Sequence, residues 1–427
     1  MITNESASIA PSFTHTGTEM TSPLAETSAS SHLQTPASFK GFVRPDGRVG
    51  TRNHIGIFVV GNCGATVARK VADHFSTKRL ANFPNVDGVV PFIHELGCGM
   101  EMTGEPMNLL RRTIAGTIRN PNISGAVVIA LGCERNNIRG FFEQENLVTG
   151  PLLHMVVMQE VGGTANAIEL GIKAVEAMLP EINQLQREEC HASKLVVGLQ
   201  SAAPDRLSAS SSDPALGAAV DLLVAQGGTV LFSDTSSLAN DVELLTTRAA
   251  SDAVSNQMAQ RINWWQGNTA GRDTQLQRNA KATSLEGGSV LARAGTTPIQ
   301  AAYEYAHPVK SSGLVFMDAP AYAAVSGTGQ VASGATLLAV STGQGTGFGA
   351  AAVPTVKLAS NTTTFQHMLD DLDIDCGPVA DGRISAQEMG REIFLRWMAY
   401  ASGEQTKSEE LGVGDNEFVP WPIGVLA

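Results

Sequence analysis

The nonapeptide Phe92-Ile93-His94-Glu95-Leu96-Gly97-Cys98-Gly99-Met100 sets an imidazole, a carboxylate and a thiol on a glycine-broken turn. It follows a strand-like run, Val86-Asp87-Gly88-Val89-Val90-Pro91-Phe92. Two other apolar runs end the same way: 55–61 leads into Asn62-Cys63-Gly64-Ala65-Thr66, and 125–132 into Cys133-Glu134-Arg135-Asn136-Asn137. A single cysteine after a strand is more often a small buried hydrophobe than a ligand. Three of them beside His94 and Glu134 make metal binding or catalysis by at least one the reading to test. Open α/β sheets bind ligands at the carboxyl ends of parallel strands, so the three endings are expected to converge on one site.

The elements that would position these groups alternate. Helical periodicity covers 66–75, 106–119 and 165–178 between the strands, the βαβα order of a parallel sheet with helices on both faces. A polar bridge, 181–193, carries Cys190 and His191 and reads as a domain boundary. Strands then return at 194–200, 228–233, 314–318 and 336–342, with a helix at 214–225 and one long or two short helices over 242–265. The strand at 336–342 opens onto Gly343-Gln344-Gly345-Thr346-Gly347-Phe348-Gly349. This loop lacks the Lys-Ser/Thr of a P-loop, so a turn holding a small polar ligand is favoured over a nucleotide site. Two consecutive α/β domains result, 40–182 and 193–427, after a Ser/Thr/Ala/Pro-rich tail, 1–39, expected to be disordered. A helix is also expected over 385–401, and 273–286 is polar and unpatterned.

Composition narrows the class. The chain has 427 residues, 16% charged and 5% aromatic, with 43 glycines, so Ala, Val, Leu and Ile must fill its cores around many tight turns. A net charge of -12 without a basic block argues against a nucleic-acid surface. No apolar run reaches the roughly 20 residues of a membrane span. Five cysteines, odd in number and mostly placed after strands, suit reduced thiols in the cytoplasm, and the opening residues Met1-Ile2-Thr3-Asn4-Glu5 lack a secretory signal. His74, His154, His307 and His367 show no partner in sequence and are read as structural, the acidic run 370–375 as a solvated turn, and Trp264-Trp265 as core or interface.

Several motifs together carry a resemblance. Gly47-Arg48-Val49-Gly50-Thr51-Arg52-Asn53, Asn62-Cys63, Gly97-Cys98-Gly99, Gly132-Cys133-Glu134, Pro354-Thr355-Val356-Lys357-Leu358-Ala359, and the final stretch with Glu404-Gln405-Thr406-Lys407 and Glu417-Phe418-Val419-Pro420-Trp421 resemble the large domain of the altronate and galactarate dehydratases, a family that includes the large subunit of sulfolactate sulfo-lyase. The resemblance implies a metal-dependent lyase, using Fe2+ or alternatively Mn2+, that acts on a small hydroxy acid. It also implies either a separate small subunit, as in sulfo-lyase, or an incomplete machine, since the small domain of the dehydratases has no counterpart in 1–39, and a homo-oligomer is expected.

Dehydrating a sugar acid to a 2-keto-3-deoxy acid means removing a weakly acidic proton beside a carboxylate. A divalent cation on that carboxylate stabilises the enediolate and assists the leaving hydroxide. On the matching motifs, His94 is expected as ligand or base, Cys63, Cys98, Cys133 and Glu134 as metal-side groups with Glu134 also catalytic, and Arg48, Arg52 or Lys407 as the cation meeting the substrate carboxylate. Asn53, Asn62, Gly343, Gln344 and Gly345 complete the expected substrate contacts.

Three loops depart from the family pattern: Ser201-Ala202-Ala203-Pro204-Asp205 in place of a cysteine and paired glycines, the polar stretch 272–283, and Gln344 in place of an arginine. Two alternatives therefore stay open. One is a non-catalytic or regulatory paralogue; the other is an iron-sulfur hydro-lyase with Cys63, Cys98 and Cys133 as cluster ligands.

Overall fold

A computed structural model describes residues 36–238, 242–269 and 291–423. Residues 1–35 of the tail expected at 1–39, and the polar stretches 272–283 and 273–286, lie outside these residues, while a strand already begins at Ser38. The strands are β1 (Ser38–Val43), β2 (Val49–Gly50), β3 (His54–Val59), β4 (Gly88–Phe92), β5 (Ile123–Ala130), β6 (Leu153–Val157), β7 (Arg187–His191), β8 (Val196–Ala202), β9 (Thr229–Phe232), β10 (Ile299–Tyr303), β11 (Gly313–Met317), β12 (Leu337–Thr342), β13 (Thr355–Ala359) and β14 (Ile374–Asp375). The main helices are α1 (Ala65–His74), α2 (Glu105–Ile118), α3 (Thr164–Ile182), α4 (Ser212–Ala225), α5 (Asp252–Thr269), α6 (Ala323–Ser333) and α7 (Ala386–Ala401).

The first sheet has the order β4-β3-β5-β6, all parallel. Its strands read as nearly continuous apolar runs because both faces are covered. Ile55, Ile57 and Val59 of β3 point into one core with Val67 and Val71 of α1 and Val175 of α3. Phe58 and Val60 point the other way, onto Leu110 and Ile114 of α2. The second sheet has the order β10-β11-β9-β8-β12-β13-β14, again parallel. Helices α4 and α7 cover one face around Leu216, Val220, Ile393 and Trp397, while Val325 and Val331 of α6 lie in the cores on the other. The two domains meet where α2 crosses α6: a side chain at Gly116 would sit 2.4 Å from the Ala332 carbonyl, and Asn120 Nδ2 donates to the Val331 and Ala335 carbonyls. The fold class is thus two consecutive α/β domains with parallel sheets.

Two expectations change. The polar bridge 181–193 contains β7, which pairs antiparallel with β1 in a three-stranded sheet of order β2-β1-β7. Only one of its residues faces inward, Cys190 opposite Phe39, so the strand has almost no apolar signal to read. β6 carries little apolar signal either, its short run 153–157 being only partly buried. The stretch 242–265 forms two helices, Val242–Thr247 and α5.

Candidate functional site

Because β3 lies between β4 and β5, the three strand endings are neighbours. β3 runs out through Val60-Gly61, and the backbone there leaves room for nothing larger than glycine: a Cβ on Gly61 would stand 2.8 Å from Glu134 Cγ and 3.4 Å from Cys98 Sγ. Gly97 holds the β4 turn at φ +106, a conformation L-residues rarely adopt, with its α-carbon tucked under the Val60 carbonyl. Asn136 ties the endings together. Its backbone N–H donates to the Gly97 carbonyl at 2.9 Å, its Nδ2 donates to the Val60 carbonyl at 3.1 Å, and its Oδ1 accepts from Arg111 Nε at 3.0 Å. Nothing in the sequence marks this buried asparagine except its place just after Cys133-Glu134.

This arrangement brings Cys63, Cys98 and Cys133 together as exposed free thiols. Desolvation raises the Cys98 thiol above the ordinary thiol range; Cys63, through charge and a side-chain hydrogen bond, then Glu134 and Cys133, raise it further. The cluster is therefore a set of soft donors that repel one another when ionised, a condition a cation would relieve. Glu134, 5% exposed, is turned onto its own backbone: Oε1 accepts from Leu131 N at 2.5 Å and Oε2 from Gly132 N at 2.8 Å. Both oxygens thus cap the end of β5.

His94 is not among the groups that act on the Cys98 thiol, and no thiol is among those that act on its ring. It is 5% exposed, its Nε2 donates to the Val59 carbonyl at 3.0 Å, and its ring packs 6.1 Å from that of Phe418. The Leu96 backbone acts on the ring electrostatically, but no described group meets Nδ1 in hydrogen-bonding geometry. Burial pushes its pKa down to about 4, so the imidazole is neutral at pH 7. Among the described residues no group of three or more His, Cys, Asp or Glu has donors already converged as a metal site.

The arginines expected at the site lie elsewhere. Residues before a strand emerge at the opposite edge of a parallel sheet from residues after it, and 41–53 precede β3. Arg48 pairs with Asp46 at 2.7 Å on the surface. Arg52, 3% exposed, spends its donors on Glu409 and on the carbonyls of Thr51, Tyr400 and Glu404. Asn53 is buried, with Nδ2 donating to the Asn85 and Ile182 carbonyls and Oδ1 accepting from Arg44 and Ser124. Lys407 Nζ meets Glu410 at 2.8 Å, and its backbone N–H meets Asp373. Asn62 is exposed beside Cys63, without a capping hydrogen bond at the start of α1. His307, read as unpartnered, stands 3.3 Å from Glu304.

The glycine loop lies at the carboxyl end of the second sheet, where β8 and β12 are neighbours and the chain leaves them in opposite directions, the switch point at which such sheets bind ligands. Here Asp205 fills it. A Cβ on Gly343 would stand 2.3 Å from Asp205 Cγ, and the carboxylate accepts from Ser208 N, Ser208 Oγ, Ser360 Oγ and Asn361 Nδ2. Gln344 is exposed and Gly345 N donates to Thr342 Oγ1.

Comparison with known proteins matches both domains. Residues 41–183 fit the model of the D-galactarate dehydratase/altronate hydrolase second domain, and 192–426 that of the D-galactarate/altronate dehydratase C-terminal domain. The galactarate dehydratase (L-threo-forming) of Escherichia coli K12 is 33% identical over 410 residues, which cover 90% of this chain and 77% of that protein. Altronate dehydratase of Bacillus subtilis 168 is 27% identical, with 87% and 76% covered. The (2R)-sulfolactate sulfo-lyase subunit beta of Chromohalobacter salexigens is 27% identical, with 90% and 96% covered. Matched across both domains and nearly its whole described length, the chain belongs to the galactarate/altronate dehydratase family.

Proposed function

We propose that this protein is a metal-dependent hydro-lyase that dehydrates a sugar acid, or a related small hydroxy acid, to a 2-keto-3-deoxy acid. The observation that carries it is the meeting of three exposed thiols at adjacent strand ends in a scaffold shared with dehydratases. Soft thiolates suit Fe2+ better than a hard ion, and exposed cysteine side chains change rotamer at little cost, so Cys63, Cys98 and Cys133 would close on the ion on binding. Bound iron would supply positive charge beside the substrate carboxylate and its neighbouring hydroxyl; manganese, the harder ion, suits these thiolates less. Glu134 and Asn136 hold the strand ends in place, and the neutral His94 supports the turn from beneath.

A separate small subunit belongs to the same reading. The chain matches 96% of a protein named as a sulfo-lyase subunit beta, which supports a partner subunit. A sulfo-lyase large subunit acting on sulfolactate is the nearest variant of the reading.

A second reading, a non-catalytic paralogue, is favoured by Asp205, whose carboxylate occupies the switch point that a ligand would use. One assay separates them: purified protein with iron(II), with and without a co-encoded small subunit, against aldonic, aldaric and sulfonated hydroxy acids. Release of 2-keto acid or sulfite supports a lyase; silence supports the paralogue. Titration with cobalt(II) gives an independent readout. Thiolate-to-metal absorption that disappears in Cys98→Ser supports the thiol site, its absence refutes it, and a brown protein as purified points to an iron-sulfur cluster.

A further inference from the structure

One cavity is lined by none of the three thiols. It measures about 250 Å³ and opens between α2 of the first domain, α5, and the carboxyl ends of β10 and β11. Arg112, Arg261, Trp264, Glu304, Asp318 and Trp421 line it.

Asp318 is the most buried carboxylate of its lining. The side chain is 4% exposed, and Oδ1 accepts from Trp265 Nε1 at 2.8 Å and Thr235 Oγ1 at 2.7 Å. Those two bonds fix the carboxyl plane, while Oδ2 accepts no hydrogen bond from any described residue. Burial raises this carboxyl above the usual carboxylate range. Asp318 lines the cavity, so a ligand hydroxyl placed there can donate to Oδ2.

The rest of the wall matches such a ligand. Trp421 stacks on Trp265 with ring centroids 5.2 Å apart and planes 2° apart, and Trp264, 42% exposed, meets Trp421 edge-on. Guanidinium and carboxylate groups alternate around these rings: Arg261 pairs with Glu304, and Arg112 donates from Nε to the Tyr305 carbonyl at 2.8 Å with Glu105 3.4 Å from its Nη2. Acceptors and donors spaced around an aromatic surface suit a chain of hydroxyls, whose carbon skeleton packs on indole while each oxygen finds a partner. The mixed charge does not favour a polyanion, and the volume suits a small polar molecule.

The geometry points to this cavity as the binding site for the hydroxylated carbon chain of a small polyhydroxy acid, with Asp318 accepting a hydrogen bond from one hydroxyl and Trp264 and Trp421 forming the apolar wall. The choice of acid rests on the hydro-lyase reading; the location rests on the cavity itself. It revises the expectation that Trp264-Trp265 is only core or interface: Trp265 is core, and Trp264 faces the cavity.

Binding is tested apart from turnover, by calorimetry and tryptophan fluorescence on the full chain with galactarate and with galactitol. Saturable binding is expected, weakened about tenfold or more by Asp318→Asn. Trp264→Ala, a change at a half-exposed ring that leaves the Trp265 core intact, is expected to weaken it several-fold. Wild-type affinity in both Asp318→Asn and Trp264→Ala, or no binding of either probe to the wild type, overturns the site. Turnover that survives both variants keeps the lyase reading and removes this cavity from it, whereas cavity-dependent binding without turnover of any acid does the reverse.

Discussion

Arg52 and Glu409, 357 positions apart, form a two-pronged ion pair, Nε to Oε1 at 2.6 Å and Nη2 to Oε2 at 2.8 Å. The guanidinium side chain is 4% exposed and the carboxylate 19%. Glu409 Oε2 also accepts from Thr406 N and Oγ1, closing a capping box on the short helix Lys407–Glu410. One carboxylate thus fastens the start of the first domain's sheet to the end of the second domain.

Removing one partner of a buried pair leaves the other charge uncompensated, a cost of about 3 kcal/mol or more. Glu409→Ala is therefore expected to lower Tm by several degrees in scanning calorimetry. Arg52→Lys is expected to destabilise as well, because an ammonium cannot reproduce the fork. An Arg52→Lys protein with unchanged Tm but a raised KM would instead return Arg52 to the substrate.

Gly97→Ala tests how the thiols are positioned. At φ +106 the added Cβ would lie 2.2 Å from the Val60 carbonyl oxygen, so the turn must move. Strain and displacement together should cost about 3 kcal/mol. The turn carries Cys98 away from Cys63, so alkylation of Cys98, followed by mass spectrometry, should accelerate relative to the wild type. Unchanged alkylation and stability would show that the strand endings are not packed as described.

Sheet architecture was legible because burial on both faces leaves runs such as 55–61 and 125–132 uninterrupted by charge, and such runs fix where strands end. That is why Cys63, Cys98 and Cys133 could be grouped from sequence. The arginines were misplaced for a related reason: closeness in sequence to β3 says nothing of which edge a residue occupies, and 41–53 enter the strand that Gly61 and Cys63 leave. Arg52 finds Glu409, and Asp318 finds Trp265, through pairings that no local pattern encodes. Asp205 likewise lies in a loop without a periodic signal, although its change from the family pattern was visible.

His94 gives a pH prediction whose sign follows from its burial. Its folded pKa is depressed to about 4 from the ordinary 6.5, so the unfolded chain binds the proton more readily. The stabilisation is complete above pH 6.5 and is lost as pH falls toward 4. Between pH 7 and pH 5 this single group should remove about 2 kcal/mol of stability. Urea unfolding at the two pH values should show that difference shrinking in His94→Gln; an equal pH dependence in both proteins would mean that the ring is charged or exposed.

Ala203, like Ala306 and Ala352, is an alanine whose backbone should prefer glycine. It adopts φ +45, and its carbonyl accepts from Gly343 N at 3.0 Å, so the strained residue and the glycine loop hold each other in place around Asp205. Ala203→Gly relieves the side-chain clash of the left-handed conformation at the expense of a more flexible unfolded chain, a balance of about 1 kcal/mol in favour of the variant. Asp205→Gly removes the carboxylate that fills the turn and frees Ser208, Ser360 and Asn361 as donors facing the opened space. If Asp205 blocks a ligand site, the double variant Ala203→Gly/Asp205→Gly should bind a small carboxylate such as lactate at least tenfold more tightly than the wild type in calorimetry. Equal or weaker binding would identify Asp205 as a structural brace of the switch point and withdraw the support it lends to the non-catalytic reading.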